Sequence, residues 1–147
     1  MSLLRVLVAD DSVAIRHAVC TLLADDPGLA VVSVAQDGVE AVEQAQAAKP
    51  DVILLDIRMP RLNGIEAARR IRAVAPQSKI LFLSQYDSWA GAREVLDSGA
   101  TGFVVKSDAP SDLINGIRTV CEGKMFISSS LALRALPRNP KEGTNLE

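Results

Sequence analysis

The chain has 147 residues, the length of one ordinary domain and enough to bury a hydrophobic core. Its 16 basic and 18 acidic residues give a formal net charge of −2, which excludes the strongly basic surface of a protein that binds nucleic acid or anionic membranes directly. It has no apolar run of bilayer-spanning length and no signal-peptide pattern at its start, so we expect a cytoplasmic protein without a membrane partner.

Short apolar segments alternate with segments of helical periodicity along most of the chain. The segments rich in β-branched residues predict five strands, at 3–9, 29–35, 52–55, 79–83 and 102–105. The periodic segments predict five helices, at about 15–23, 39–48, 65–75, 87–97 and 110–122. Connections this short force parallel neighbours through right-handed crossovers. We therefore predict an α/β fold with a doubly wound, five-stranded parallel sheet of order 2-1-3-4-5.

Cysteine, histidine and aromatic residues give few functional signals. Cys20 and Cys121 fall on apolar faces of predicted helices, which favours reduced, buried thiols. His17 is the only histidine, so a site for a soft metal ion is not indicated. Tyr86 and Trp89 begin the fourth predicted helix, where they could fill the core or form a partner surface.

The third predicted strand is too apolar for an edge position and is expected to be buried on both faces. It stops at Asp56, and Pro60 and Asn63-Gly64 then turn the backbone. A carboxylate at the carboxyl end of a buried parallel strand lies where open α/β sheets place their chemistry.

Polar residues also follow the other central strands. Asp10 and Asp11 end the first strand, Ser84 the fourth and Lys106 the fifth, so these side chains converge with Asp56 on one crevice. The three carboxylates would repel each other unless a hard divalent cation lay among them, and all-oxygen ligands suit Mg²⁺. A small tetrahedral dianion would be held well by that cation, the lysine and the hydroxyl group.

The motifs Asp10-Asp11, Asp56-Ile-Arg-Met-Pro-Arg-Leu-Asn-Gly64, Ser84 and Lys106 together resemble the receiver domain of response regulators, the CheY-like signalling module of two-component systems. The resemblance covers about residues 3–127 and implies a flavodoxin-like (βα)5 fold. It also implies a phosphoacceptor signalling domain that assists its own phosphorylation and dephosphorylation, and not an enzyme in its own right.

The resemblance assigns roles to the residues in the crevice. Asp56 would accept a phosphoryl group from a sensor histidine kinase, and Lys106 and Ser84 would bind the phosphoryl oxygens. The Mg²⁺ ligands would be Asp11, Asp56 and the backbone carbonyl of Arg58, with Asp10 acting through water.

The resemblance also implies a switch. Ser84 would move towards the phosphoryl group and an aromatic residue, here Phe103, would swing inward. Receivers more often carry tyrosine at that position, so a switch that depends on a hydroxyl group is not expected here. The signalling surface would be the fourth helix, fifth strand and fifth helix. A homodimer could form through this face or through the first and fifth helices.

The chain changes character after the receiver segment, which we place at 1–127. Residues 128–147 are expected to form a short helix at 131–136 and a polar linker tail. The sequence from Gly102 to Pro110 and Phe126-Ile-Ser-Ser-Ser are similar to the NarL/FixJ subgroup. This similarity implies a LuxR-type transcriptional regulator that contacts DNA only through a helix-turn-helix domain not present in this chain. A stand-alone receiver is the alternative.

Two other functions use related folds. A phosphatase of the haloacid dehalogenase type needs Asp-x-Asp after the first strand, where this chain has adjacent Asp10-Asp11 and then Ser12. A flavodoxin-like flavin binder needs a phosphate loop there, and three carboxylates would repel a flavin phosphate. Incubation with acetyl phosphate and Mg²⁺, followed by mass measurement, separates these functions from a receiver.

Overall fold

The structure is a computed structural model that describes residues 3–85, 93, 95, 97 and 99–131. The described residues 93, 95 and 97 are helical, as predicted for the 87–97 segment, whereas Tyr86 and Trp89 lie outside the described residues. The polar tail from residue 132 on, which includes most of the helix predicted at 131–136, also lies outside them.

One parallel sheet forms the centre of the fold. Its strands are β1 (Leu4–Ala9), β2 (Leu29–Ala35), β3 (Val52–Leu55), β4 (Lys79–Ser84), β5 (Gly102–Val105) and β6 (Phe126–Ile127). The spatial order is β2-β1-β3-β4-β5-β6, and every neighbouring pair is parallel. The predicted doubly wound α/β fold and the order of the first five strands are therefore confirmed.

The prediction of five strands missed β6. This strand has two residues and pairs Phe126 and Ile127 with Gly102 and Phe103 of β5. A pair of apolar residues after a helix carries no alternating pattern, so it is too short to be recognised as a strand from the sequence.

The described helices are α1 (Val13–Ala24), α2 (Gly38–Ala48), α3 (Gly64–Val74) and α4 (Ala109–Cys121), the last of which corresponds to the fifth predicted helix. Each of the first three begins at a side-chain cap. Ser12, Asp37 and Asn63 accept hydrogen bonds from the backbone N–H three residues later. Such caps satisfy a donor that the helix itself leaves unpaired, which fixes where each helix starts.

Two hydrophobic cores lie on opposite faces of the sheet. One contains the inward residues of α2 and α3 with Phe82, Phe103 and Leu131, and the other contains the inward residues of α1 and α4. All four residues of β3 are buried, as expected for a central strand covered on both faces. Cys20 and Cys121 are free and half-buried, and burial is the main cause that raises the pKa of both thiols.

Within the described part of the chain, no helix is both long enough and apolar enough to cross a membrane.

Candidate functional site

The register of the sheet brings the predicted site residues to one edge. Ala9 of β1 pairs with Leu55 of β3, so Asp10 and Asp56 follow neighbouring strands at the same level. Ser84 of β4 pairs with Val105 of β5, which places Lys106 one residue beyond that pair. The site therefore lies at the carboxyl ends of the central strands, beside the point where the order of strands reverses between β1 and β3.

Asp56 is held at the end of β3 by hydrogen bonds on both sides of its Cα. Its backbone N–H donates to the carbonyl of Ala9 at 3.0 Å, and its Oδ1 accepts from the backbone N–H of Ile57 at 2.8 Å. The residue is 6 % exposed, so this carboxylate has few contacts with water. A fixed carboxylate with limited hydration is well suited to act as a nucleophile.

Lys106 lies between two carboxylates. Its Nζ is 2.8 Å from Asp10 Oδ2 and 3.4 Å from Asp56 Oδ2. Burial alone would lower the pKa of Lys106, but Asp10 and Asp56 outweigh that effect and raise the pKa. Lys106 is therefore a fixed positive charge in this crevice.

Asp56 differs from an ordinary aspartate in its acidity. Burial first, and then the negative charge of Asp10, raise its pKa from 3.8 to about 6, although Lys106 opposes both effects. The carboxylate form is the dominant one at neutral pH, but it is less stable than in water. A cation beside Asp56 would stabilise it further.

The geometry of the acidic residues fits a divalent cation. Asp10, Asp11 and Asp56 each offer a carboxylate oxygen, and these three oxygens lie within 4.8 Å of one another. Among the described residues, Asp10 Oδ2 is a buried side-chain oxygen that accepts no hydrogen bond, because its close approach to Lys106 is an ion pair without hydrogen-bond angles. Hard oxygen ligands with spare acceptor capacity match the preference of Mg²⁺.

The crevice has a volume of about 570 Å³, and every predicted phosphorylation and metal residue borders it. Its lining consists of Asp10, Asp11, Ser12, Ile15, Asp56, Arg58, Ser84, Gln85 and Lys106. Phe103, predicted as part of the switch, does not line the crevice and is fully buried in the core. Three lining residues, Ser12, Ile15 and Gln85, were not predicted as site residues, because their side chains have no distinctive chemistry.

Two backbone contacts of Asp10 were also beyond sequence reasoning. The backbone N–H of Ser12 donates to Asp10 Oδ1 at 2.9 Å, and the guanidinium group of Arg16 donates to the Asp10 carbonyl at 2.7 Å. The first orients the carboxylate of Asp10 and the second holds its backbone carbonyl, and both depend on the position of α1.

Comparison with known proteins identifies the family of this chain. The profile described as "Response regulator receiver domain" matches residues 6–118. The chain is 34% identical over 130 residues to the response regulator GacA of Pseudomonas viridiflava. This alignment covers 88% of this chain and 61% of GacA. It is 50% identical over 103 residues to a protein-glutamate methylesterase/protein-glutamine glutaminase of Colwellia psychrerythraea, covering 69% of this chain and 27% of that enzyme.

A crystal structure of a LuxR-family two-component response regulator from Aurantimonas superposes with a TM-score of 0.85 at 32% identity, covering 90% of this chain and 94% of that one. Since the family profile matches well over half of the sequence, the chain belongs to the response regulator receiver domain family. The chain spans 61% of the length of GacA.

Proposed function

We propose that Asp56 is the phosphoacceptor of this receiver domain and that a sensor histidine kinase supplies the phosphoryl group. The observation that carries the proposal is the fixed, poorly hydrated carboxylate of Asp56 beside the ammonium group of Lys106, 3.4 Å away. A nucleophile and a cation are thereby held together before any substrate arrives.

In the proposed step, a carboxylate oxygen of Asp56 attacks phosphorus and forms a P–O bond while the P–N bond to the kinase histidine breaks. The leaving imidazole, which carries a proton on its other ring nitrogen, takes the bonding electron pair and ends as neutral histidine. Lys106 and the hydroxyl group of Ser84 bind the phosphoryl oxygens as negative charge shifts onto them. Hydrolysis of the resulting acyl phosphate restores the carboxylate.

The proposed cation ligands are the carboxylates of Asp10, Asp11 and Asp56 and the backbone carbonyl of Arg58, with Asp10 acting through water. Mg²⁺ bound there would neutralise charge on the phosphoryl oxygens. The same residues repel one another when no cation is present, which favours binding of the metal.

Labelling with a small phosphodonor tests the proposal. The protein should gain the mass of one phosphoryl group in acetyl phosphate and Mg²⁺, and Asp56→Asn should gain none. Asp25→Asn alters an exposed carboxylate at the end of α1 and should label like the wild type. Normal labelling of Asp56→Asn, or labelling that chelation of Mg²⁺ does not reduce, would contradict the assignment.

For the whole protein, we propose transcriptional regulation in the cytoplasm, with DNA bound by a helix-turn-helix domain outside this chain. GacA and the LuxR-family structure support this output, because they match 88% and 90% of the chain, whereas the methylesterase matches 69%. Phosphorylation would act through Ser84 and Phe103 on the surface formed by the 87–97 helix, β5 and α4. Homodimerisation through that surface or through α1 and α4 is part of this proposal.

A further inference from the structure

The loop between Asp56 and α3 carries Arg58, whose backbone carbonyl is a cation ligand in the function proposed above, on which this inference rests. A carbonyl on a loop can serve as a ligand only if the loop is held in place, because small displacements weaken coordination. The contacts that hold this loop therefore decide whether its carbonyl stays in place.

Both ends of the loop are attached to the end of β3. Ile57 donates its backbone N–H to Asp56 Oδ1 at 2.8 Å, and Gly64 donates its own to the carbonyl of Ile57 at 2.7 Å. A Cβ atom on Gly64 would lie 2.0 Å from the carbonyl oxygen of Asp56, so only glycine permits this approach. These contacts fix the ends of the loop and leave its middle to be held from elsewhere.

The middle of the loop is held by the turn between β2 and α2. Arg61 has a φ of 70°, in the left-handed region, and its Nη1 lies 3.0 Å from Oδ2 of Asp37. The Asp37 side chain is 6% exposed. Next to it, a Cβ atom on Gly38 would lie 1.9 Å from the carbonyl oxygen of Leu62, so the first turn of α2 touches the loop directly.

Asp37 is itself fixed, and its turn also reaches the opposite side of the site. Its Oδ1 accepts the backbone N–H of Glu40 at 2.8 Å, and Glu40 in turn accepts the backbone N–H of Gln36 at 2.8 Å. The first bond caps α2 at Asp37 and the second holds the residue before the cap, so both stabilise the turn. Two residues before Asp37, the carbonyl of Ala35 accepts the backbone N–H of Asp10 at 3.0 Å.

From this arrangement we infer that Asp37 and Arg61 are positioning residues for the cation site. The end of β2 contacts the backbone of Asp10, and the turn that follows it contacts the Arg58 loop, so this part of the chain connects the two sides of the site. Asp37 does not belong to the carboxylate cluster of Asp10, Asp11 and Asp56, so it acts through the loop and not as a ligand.

The substitution Arg61→Asn separates positioning from electrostatics. Asparagine adopts the left-handed conformation more readily than most residues but cannot reach Asp37 as arginine does, so the backbone is accommodated and the ion pair is lost. Removing a positive charge near an acidic site should strengthen Mg²⁺ binding if only charge matters. Loss of positioning should weaken it, so the two explanations predict opposite signs.

The test is calorimetric titration of Mg²⁺ into wild type, Arg61→Asn and Arg61→Lys. We expect Arg61→Asn to raise the dissociation constant about threefold to tenfold, less than the loss seen when a direct partner of a metal ligand is removed. Arg61→Lys keeps the charge and should recover part of the affinity. Arg69→Gln removes an exposed arginine on α3 that pairs with Glu66, and it should bind Mg²⁺ like the wild type.

Labelling by acetyl phosphate in the same proteins tests the positioning role of Arg61 separately from the proposed phosphoacceptor function. If positioning acts through the cation, the labelling rate of Arg61→Asn should be restored at saturating Mg²⁺. The positioning role would be overturned if the wild type is labelled normally but Arg61→Asn binds Mg²⁺ as tightly as the wild type or more tightly. The proposed function would then remain intact. Absence of Mg²⁺-dependent labelling in the wild type would overturn both.

Discussion

The ammonium group of Lys106 lies closer to Asp10 than to Asp56, at 2.8 Å against 3.4 Å. Lys106 therefore stabilises the Asp56 carboxylate only in part. Burial and the charge of Asp10 outweigh that stabilisation and raise the pKa of Asp56 to about 6. In the proposed mechanism, this instability is relieved when Mg²⁺ binds or when the carboxylate becomes an acyl phosphate. The ionised carboxylate of Asp56 therefore lowers the free energy of unfolding when no Mg²⁺ is bound.

That cost can be measured with Asp56→Asn, which keeps the shape of the side chain without its charge. The folded-state pKa of about 6 lies above the value of 3.8 expected in the unfolded chain, so Asp56 stabilises the fold below pH 3.8 and loses that contribution as the pH rises through 6. At pH 8 without Mg²⁺, Asp56→Asn should be more stable than wild type by about 2 kcal/mol. This value is smaller than a direct conversion of the pKa shift, because solvent in the open crevice screens the charge.

Chemical unfolding of both proteins between pH 4 and pH 8 would check this prediction. The advantage of Asp56→Asn should shrink as the pH falls through about 6, because the wild-type carboxyl group then becomes neutral too. Glu43→Gln alters an exposed carboxylate on α2 and should show no such trend. An advantage that stays constant with pH would show that burial of Asp56 is not its cause.

The sequence was sufficient to bring Asp10, Asp56 and Lys106 to one edge, because strand ends in a parallel sheet share that edge. It could not predict the unequal distances of Lys106 to the two carboxylates. Those distances depend on the register of β1 against β3 and on the turn after β5, and neither leaves a signal in residue order. The Asp37–Arg61 pair was missed for a similar reason, since 24 residues separate its members.

The short strand β6 joins the segment after α4 to the receiver core. The backbone N–H of Ser128 donates to the carbonyl of Phe103 at 2.9 Å, and the Ser128 hydroxyl group accepts the N–H of Val105 at 3.1 Å. The hydroxyl group of Ser128 therefore bonds to β5 directly after Phe126 and Ile127, the two residues of β6 that pair with this strand. Ser128 and Leu131 are both fully buried.

Two carboxylates, Asp108 just before α4 and Asp112 within it, secure the next residues of this segment. Asp112 Oδ2 accepts the backbone N–H of Ser129 at 2.7 Å, and Asp108 Oδ2 accepts the N–H and the hydroxyl group of Ser130 at 3.1 Å and 2.7 Å. Acceptors at the start of a helix satisfy donors that the helix leaves free. These carboxylates lie 17 and 22 residues earlier in the chain than the serines, so a local sequence pattern does not reveal the contacts.

Ser128→Ala tests the importance of this attachment. The substitution leaves the buried N–H of Val105 without its acceptor, so we expect the protein to lose about 1–3 kcal/mol of unfolding free energy. The amide of Val105 should also exchange faster with solvent. Ser129→Ala is a matched control, since its hydroxyl group is exposed and its contact with Asp112 uses the backbone, and it should stay within about 0.5 kcal/mol of wild type. Equal stability of the two variants would show that Ser128 does not anchor the segment.

In the molecule as a whole, the β1–β3 register places the acidic residues, and the β4–β5 register places Ser84 and Lys106. β5 connects that site to β6 and the following segment. Lys106 also starts a turn of 3-10 helix that ends at Asp108, the residue that holds Ser130. The path from the crevice to the segment after α4 is therefore only a few residues long. The outer strand β2 lies at the other end of the sheet order, beyond β1.

This arrangement predicts where a signal should be detected. Beryllofluoride, which stands in for the phosphoryl group, should draw Lys106 away from Asp10 and towards Asp56. We expect amide signals to shift at residues 102–106 and 126–131, and also at 87–95, as the resemblance to receivers implies. The exposed residues of β2, such as Val32 and Val34, should shift little.

The pattern in Ser128→Ala then decides whether the bond between Val105 and the Ser128 hydroxyl group carries the signal from β5 to the later segment. If it does, the variant should keep the shifts around Asp56 and Lys106 and reduce those at residues 129–131, because the bond from the Val105 N–H to the Ser128 hydroxyl group is gone while the backbone bond from Ser128 to Phe103 remains. Ser129→Ala should retain both sets. Equal shifts at 129–131 in the two variants would show that the signal does not depend on the Ser128 hydroxyl group, which leaves the Ser128–Phe103 backbone bond and the bonds from Asp108 and Asp112 as its routes.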